Sequence, residues 1–192
     1  MEQFNLHPLI SGRWSPRVFT SEVIDKEKIS SLFEAARWAP SARNSQPWRF
    51  IYASKNDGER WVRLLDILTP SNKVWAQHAS HLVLACVAKV DLSSNSIRKS
   101  ALYDLGLAVA NFTFQANSLG IYIRNMGGFE SSKAILNFSI PSEIEPVVVL
   151  ALGYPDETIS SNPDFDVPIK TRRERAATNK FVFNGSWKDL VW

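Results

Sequence analysis

Apolar positions change their spacing several times along the chain, and each change marks an element. From Asp25, which suits a helix N-cap, Ile29, Leu32, Phe33 and Ala36 recur at helical spacing until Pro40 stops the run. "RFIYA" then reads as a strand. Glu59 to Leu68 returns to the helical period with Trp61, Leu64, Leu65 and Leu68. "HLVLACVA" reads as a buried strand. The longest pattern runs from Ile97 to Leu119. Ala101, Leu105, Ala108, Phe112 and Leu119 share one face, and Leu102, Leu107 and Val109 broaden it. A helix apolar nearly all round is buried, in a core or in a subunit interface. Gly120 ends it. "IYIR" and "VVVLALG" supply two more strands.

After Gly153 the pattern dissolves into "YPDETISSNPDFDVPIKTRRERAATNK", rich in Pro and polar residues. It reads as an extended arm from about residue 155 to residue 192. "KFVF" gives a short strand signal near its tip, and an arm of that kind pairs with a neighbouring sheet, including one in another subunit. Helices and strands mix without βαβ regularity, so the fold class is α+β. At 192 residues, the chain suits a single domain over 1–192.

Composition narrows the function classes. The one cysteine, Cys86, lies inside an apolar strand and is a small buried hydrophobe. A disulfide framework and a Cys/His metal spacing are therefore not expected, which fits a reducing cytoplasm. The N-terminal residues lack a cationic start followed by a long apolar run, so no signal peptide is expected. No apolar run approaches the roughly 20 residues of a membrane span, so no membrane partner is expected. The net charge of +3 does not argue for a polyanion. The basic residues are not interleaved with aromatics in a recognisable nucleic-acid module, so none is expected as partner.

The sets that usually carry catalysis are missing. His78 and His81 lack a nearby third metal ligand, and GxSxG, Walker A and GxGxxG motifs do not occur. Asp104 and Glu34 have no evident carboxylate partner. Such a chain would take its chemistry from a cofactor. Three basic groups then matter: "RWSPR" with Arg13, Ser15 and Arg17; "TRRER" with Arg172, Arg173 and Arg175; and Arg43. Arginine suits bidentate phosphate contacts, and serine adds a hydroxyl donor. Arg43 lies in "APSARNSQPW", which carries more Pro, Ser, Asn and Gln than a plain turn requires.

Taken together and in order, these pieces resemble the nitroreductase family of FMN-dependent NAD(P)H oxidoreductases. The resembling stretches are "RWSPRVF", "EAARWAPSARNSQPWRFIY", "NKVWAQHASHLVLAC", "ALYDLGLAVANFTFQANSLGIY", "MGGF", "ALGYP" and "RRERAATNKFVFNGSW". They cover nearly the whole chain. Arg124 stands where the family commonly has His.

The resemblance implies a mixed, mainly antiparallel sheet flanked by helices, and a homodimer with two FMN sites at the subunit interface. Arg13 and Ser15 would contact the FMN phosphate, joined by Arg173 and Arg175 from the arm. Arg17 would lie nearer the flavin ring, where a cation stabilises the reduced form. Asn72 would bond the pyrimidine edge, and Gly127 and Gly128 would let the backbone approach the ring. Pro40, Ser41 and Asn44 would come from the other subunit. The implied reaction is ping-pong: NADH or NADPH gives a hydride to flavin N5, and a small electron-poor acceptor such as a nitroaromatic or quinone then takes it. No side chain would act as acid or nucleophile. A flavin relative with other oxidoreductase chemistry, or a non-enzymatic flavin-binding module, are the alternatives. For Arg43, a cofactor contact, a nicotinamide-phosphate contact and plain surface remain open.

Overall fold

The computed structural model describes residues 5–91, 96–156, 161–162, 167–168, 174–187 and 189. In chain order the elements are α1 (Pro8–Ser11), α2 (Lys26–Arg37), β1 (Trp48–Ser54), α3 (Glu59–Asp66), α4 (Pro70–Ala76), β2 (His81–Ala88), α5 (Ala101–Ser118), β3 (Tyr122–Met126), α6 (Ser131–Phe138), β4 (Ile144–Gly153), β5 (Ser161–Asn162) and β6 (Val167–Pro168). The first four strands form one sheet in the order β1-β2-β4-β3, and every pairing is antiparallel. With helices packed on it, this is the expected α+β architecture.

Residues of β2 are buried at every position because helices cover both faces of the sheet. Val83, Ala85 and Val87 point to a core shared with Leu32 of α2 and with Leu105, Ala108 and Phe112 of α5. The alternate residues Leu82, Leu84 and Cys86 point to a second core with Trp61 and Leu64 of α3, Trp75 of α4 and Ala134 of α6. The period of two along a pleated strand thus serves two cores at once. The register of β2 on β4 slips by one residue: Ala85 faces Val148 but Cys86 faces Pro146. Pro146 has no N–H to give the ladder, and a bulge is where a strand tolerates that loss.

Three differences from the sequence expectations stand out. The long helix starts at Ala101 rather than Ile97, because Ile97 bridges Val90 and Arg98 is drawn into tertiary bonds. Its burial is one-sided: Ala101, Leu105, Ala108 and Phe112 are interior, whereas Leu102 is 56% and Tyr103 70% exposed. "KFVF" shows less strand than expected: Thr178–Lys180 form one 3-10 turn, and Phe183 stands in a single β-bridge. The C-terminal tip carries a stacked aromatic pair, Phe183 on Trp187, with ring centroids 4.8 Å apart.

The N-terminal segment is stitched onto the end of β4. The Thr20 amide donates to the Tyr154 carbonyl at 2.9 Å, and Phe19 bridges Pro155. Phe19 packs so closely over Gly153 that a Cβ there would lie 2.5 Å from its ring. This seam leads directly out of the segment that holds Arg13, Ser15 and Arg17.

Candidate functional site

Arg13 Nη1 donates to Ser15 Oγ at 3.0 Å, so the first expected pair does meet. Pro16, which fixes its own backbone torsion, is buried behind them. Arg17 is half-buried, and its Nε is sequestered without a hydrogen-bond partner among the described residues. A buried donor left unmade costs about 1–3 kcal/mol, more when charged, so such an atom points to a missing acceptor. Arg124 of β3 approaches this turn from the sheet. Its Nη1 donates to the Ser15 carbonyl at 2.8 Å, and its guanidinium lies 5.3 Å from the centre of the Trp75 ring on α4.

A second cluster forms where β3 ends. The Gly128 carbonyl accepts from the Thr69 amide at 3.2 Å, from Thr69 Oγ1 at 3.1 Å and from Asn72 Nδ2 at 2.9 Å. Thr69 precedes α4 and Pro70 opens it, so the helix start presents these donors together. The Asn72 amide nitrogen is thereby turned toward Gly128, and its oxygen faces away. Glycine at 128 is required for space: a Cβ there would sit 2.8 Å from Asn72 Nδ2 and 3.0 Å from Thr69 Oγ1. At Gly127 a Cβ would meet nothing within 4 Å, so the backbone there is open to a ligand.

The loop before β1 is built differently. Arg43, Asn44 and Gln46 have φ of 56°, 55° and 44°. Ser41 Oγ accepts from the Gln46 amide at 3.0 Å and closes the loop on itself. The Asp104 carboxylate, 2% exposed in the first turn of α5, accepts from the Ala42 amide and from Ser100 Oγ, each at 3.2 Å. Arg98 Nη1 donates to the Ser45 carbonyl at 3.0 Å while Nη2 pairs with Asp91 at 2.9 Å. Pro40, Arg43 and Asn44 remain exposed, Ser41 is half-exposed, and Pro47 is buried.

The other expected residues fall as follows. Arg172 and Arg173 lie outside the described residues, and Arg175 is exposed. Cys86 is buried, and burial pushes its thiol up to about 12, which closes it as a nucleophile. His78 is exposed. His81 is buried with Nδ1 2.9 Å from Ser80 Oγ, and desolvation lowers its pKa. Sequence reasoning missed four contributors: Thr69, Arg98, Asp104 as a loop anchor, and Arg124 as a tie. None of these roles has a local signal, since each depends on a partner distant in the sequence.

Along the open side of α5 runs a cavity of about 500 Å³. Arg13 lines one part, and Leu102, Gly106, Val109, Ala110 and Asn125 line others. A second hollow of about 380 Å³ continues past Phe114 to Leu9 and Trp38, the latter 74% exposed. Among the described residues no helix is long and apolar enough to cross a membrane.

Comparison with known proteins places this architecture. The model of the nitroreductase family matches residues 10–87. A protein of Archaeoglobus fulgidus named "Putative NADH dehydrogenase/NAD(P)H nitroreductase" is 31% identical over 153 residues, covering 78% of this chain and 84% of that protein. A protein of Methanothermobacter thermautotrophicus with the same name is 26% identical over 161 residues, covering 82% and 81%. A crystal structure described as "the oxidoreductase containing FMN" superposes with a TM-score of 0.88 at 29% identity, covering 98% of this chain and 96% of that one. With the strand order, the two-sided core and the meeting of Asn72 with Gly128, these likenesses lead to one conclusion: the chain belongs to the nitroreductase family of oxidoreductases.

Proposed function

We propose that the protein is an FMN-dependent oxidoreductase that uses NADH or NADPH to reduce electron-poor acceptors such as nitroaromatics or quinones. The observation that carries this reading is the sequestered Arg17 Nε, without an acceptor among the described residues and four positions from Arg13. The residues present fit the cofactor. The Arg13–Ser15 pair offers charge and hydroxyl to a phosphate, which carries close to two negative charges. Gly127 leaves the backbone open, and Asn72 is oriented by Gly128.

When bound, FMN supplies hydride acceptance and donation at its N5. Arg13 and Ser15 hold the phosphate, with Arg173 and Arg175 added from the arm. Arg17 would set positive charge beside the ring, and Asn72 would present its amide to the pyrimidine edge. The Gly127–Gly128 backbone would let the ring approach, since a Cβ at Gly127 would meet nothing within 4 Å. Pro40, Ser41 and Asn44 reach the site from the second subunit of a homodimer, whose interface is the open apolar side of α5. Donor and acceptor would bind in turn over the one face of the flavin that the protein leaves uncovered, so the expected kinetics are ping-pong. The chain contributes position and electrostatics, without a side-chain acid or nucleophile. A cytoplasmic setting belongs to this reading and accords with a single buried thiol.

The test is spectroscopic. Purified protein loaded with FMN is expected to show an oxidised-flavin band that bleaches on anaerobic addition of NADH or NADPH. A band that persists with both donors leaves a flavin-binding module and refutes the reductase.

A further inference from the structure

We infer that Arg124 is a positioning residue that holds the phosphate end of the cofactor pocket in register with its ring end. The inference rests on the FMN reading above. Arg124 touches two separate parts of the pocket frame. Through Nη1 it holds the Ser15 carbonyl at 2.8 Å, and the same residue's hydroxyl accepts from Arg13 at 3.0 Å. Its guanidinium also lies over Trp75, which is buried on α4 one turn beyond Asn72. Asn72 in turn holds Gly128, four residues along the chain from Arg124 itself.

The contacts therefore close a circuit. It runs from Arg124 to Ser15, from Arg124 to Trp75, along α4 to Asn72, across to Gly128, and back down β3. A guanidinium suits this junction because its planar face stacks on an aromatic ring while its edge donates to a carbonyl. A charged donor also makes the stronger hydrogen bond. The bond to the Ser15 carbonyl fixes the backbone of the residue whose hydroxyl pairs with Arg13, so the tie acts on the phosphate end. Without Arg124 the turn keeps its seam to β4 at Val18–Thr20 and the contact of Trp14 with Tyr122 of β3, but loses the hydrogen bond that holds the Ser15 carbonyl.

The experiment titrates the cofactor-free full chain with FMN and with riboflavin, followed by quenching of flavin fluorescence. Riboflavin shares the ring and lacks the phosphate, so the ratio of the two affinities reads the phosphate end alone. For R124A the preference for FMN is expected to fall about tenfold or more, with riboflavin affinity near that of the unaltered protein. Arg13→Ala is the reference for a direct phosphate contact and is expected to move the ratio in the same direction. If R124A does not fold, R124K, which keeps the charge but not the planar fork, is expected to lower the ratio about threefold. An unchanged ratio in whichever variant folds overturns the inference, as does an equal loss of both flavins, the mark of general loosening. If the unaltered protein binds neither flavin, or both alike, the FMN reading fails first and takes the inference with it.

Discussion

Two loops of this molecule invert the usual rule for glycine. Gly127 and Gly128 stand where φ is not positive, whereas Arg43, Asn44 and Gln46 occupy left-handed backbone without being glycine. In the first loop glycine answers a need for space, since Thr69 and Asn72 crowd one side of it. In the second, side chains sit where glycine would be at ease, and fixed partners hold the loop in place. Those partners are the buried Asp104 carboxylate and the Arg98 guanidinium. Strained backbone of this kind persists only where its surroundings over-determine it, and it concentrates at functional sites. The first loop is thus a neutral cluster closed by proximity, and the second a strained one clamped by charge.

The comparison can be broken most severely at Asp104. Asp104→Ala leaves the Ala42 amide and the Ser100 hydroxyl without their acceptor, and is expected to cost about 2–4 kcal/mol in urea unfolding. Asp104→Asn, which keeps one acceptor, should lose roughly half of that. A change below about 0.5 kcal/mol for the alanine variant would mean the loop holds itself. Next comes Gly128→Ala, whose Cβ collides with Asn72 and Thr69 and is expected to cost about 1–3 kcal/mol and to weaken FMN binding in parallel. Arg43→Gly should do the opposite. Relief of the left-handed conformation is worth about 1–2 kcal/mol and is partly offset by chain entropy, so a gain of up to about 1 kcal/mol is expected in the same assay. A loss at Arg43→Gly would show that the Arg43 side chain supports the loop.

The smallest effect is expected at His81, outside both loops. Desolvation lowers its pKa in the folded state below the ordinary 6.5. Between those two values the unfolded chain binds more protons than the folded one, so stability rises with pH there. The contribution of the neutral ring is fully present above pH 6.5 and is lost as pH falls through the folded value. Unfolding midpoints measured from pH 7.5 down to 5 should decline, and replacing His81 with Gln should flatten that decline across this window.

Much of the fold was legible because spacing reports burial. Ile29, Leu32 and Ala36 are interior on α2, and the unbroken apolar run of β2 is covered on both faces. α4 and α6 have weak patterns of their own: α4 buries the adjacent Trp75 and Ala76 and α6 buries Ala134 alone, so neither shows the repeated apolar spacing that marks α3. The start of α5 was misjudged because Ile97 and Arg98 have helical credentials locally but distant partners in fact. The candidate residues could be picked out by type and order alone. Their contacts could not, since Asn72 and Gly128 lie 56 positions apart and Ser15 and Arg124 lie 109 apart. Local pattern carries no record of which distant carbonyl a side chain will find.

The seam between Phe19 and the end of β4 has a consequence for the order of events during synthesis. The segment bearing Arg13, Ser15 and Arg17 leaves the ribosome long before the strand end at Gly153 that receives it. Arg124, its second anchor, also arrives late. Non-local pairing of this kind is slow, because the ends must be brought together before any contact rewards them. The turn that carries Arg13, Ser15 and Arg17 is therefore among the last parts to take shape. A nascent chain halted before β4 would carry the arginines without the geometry that makes them a site.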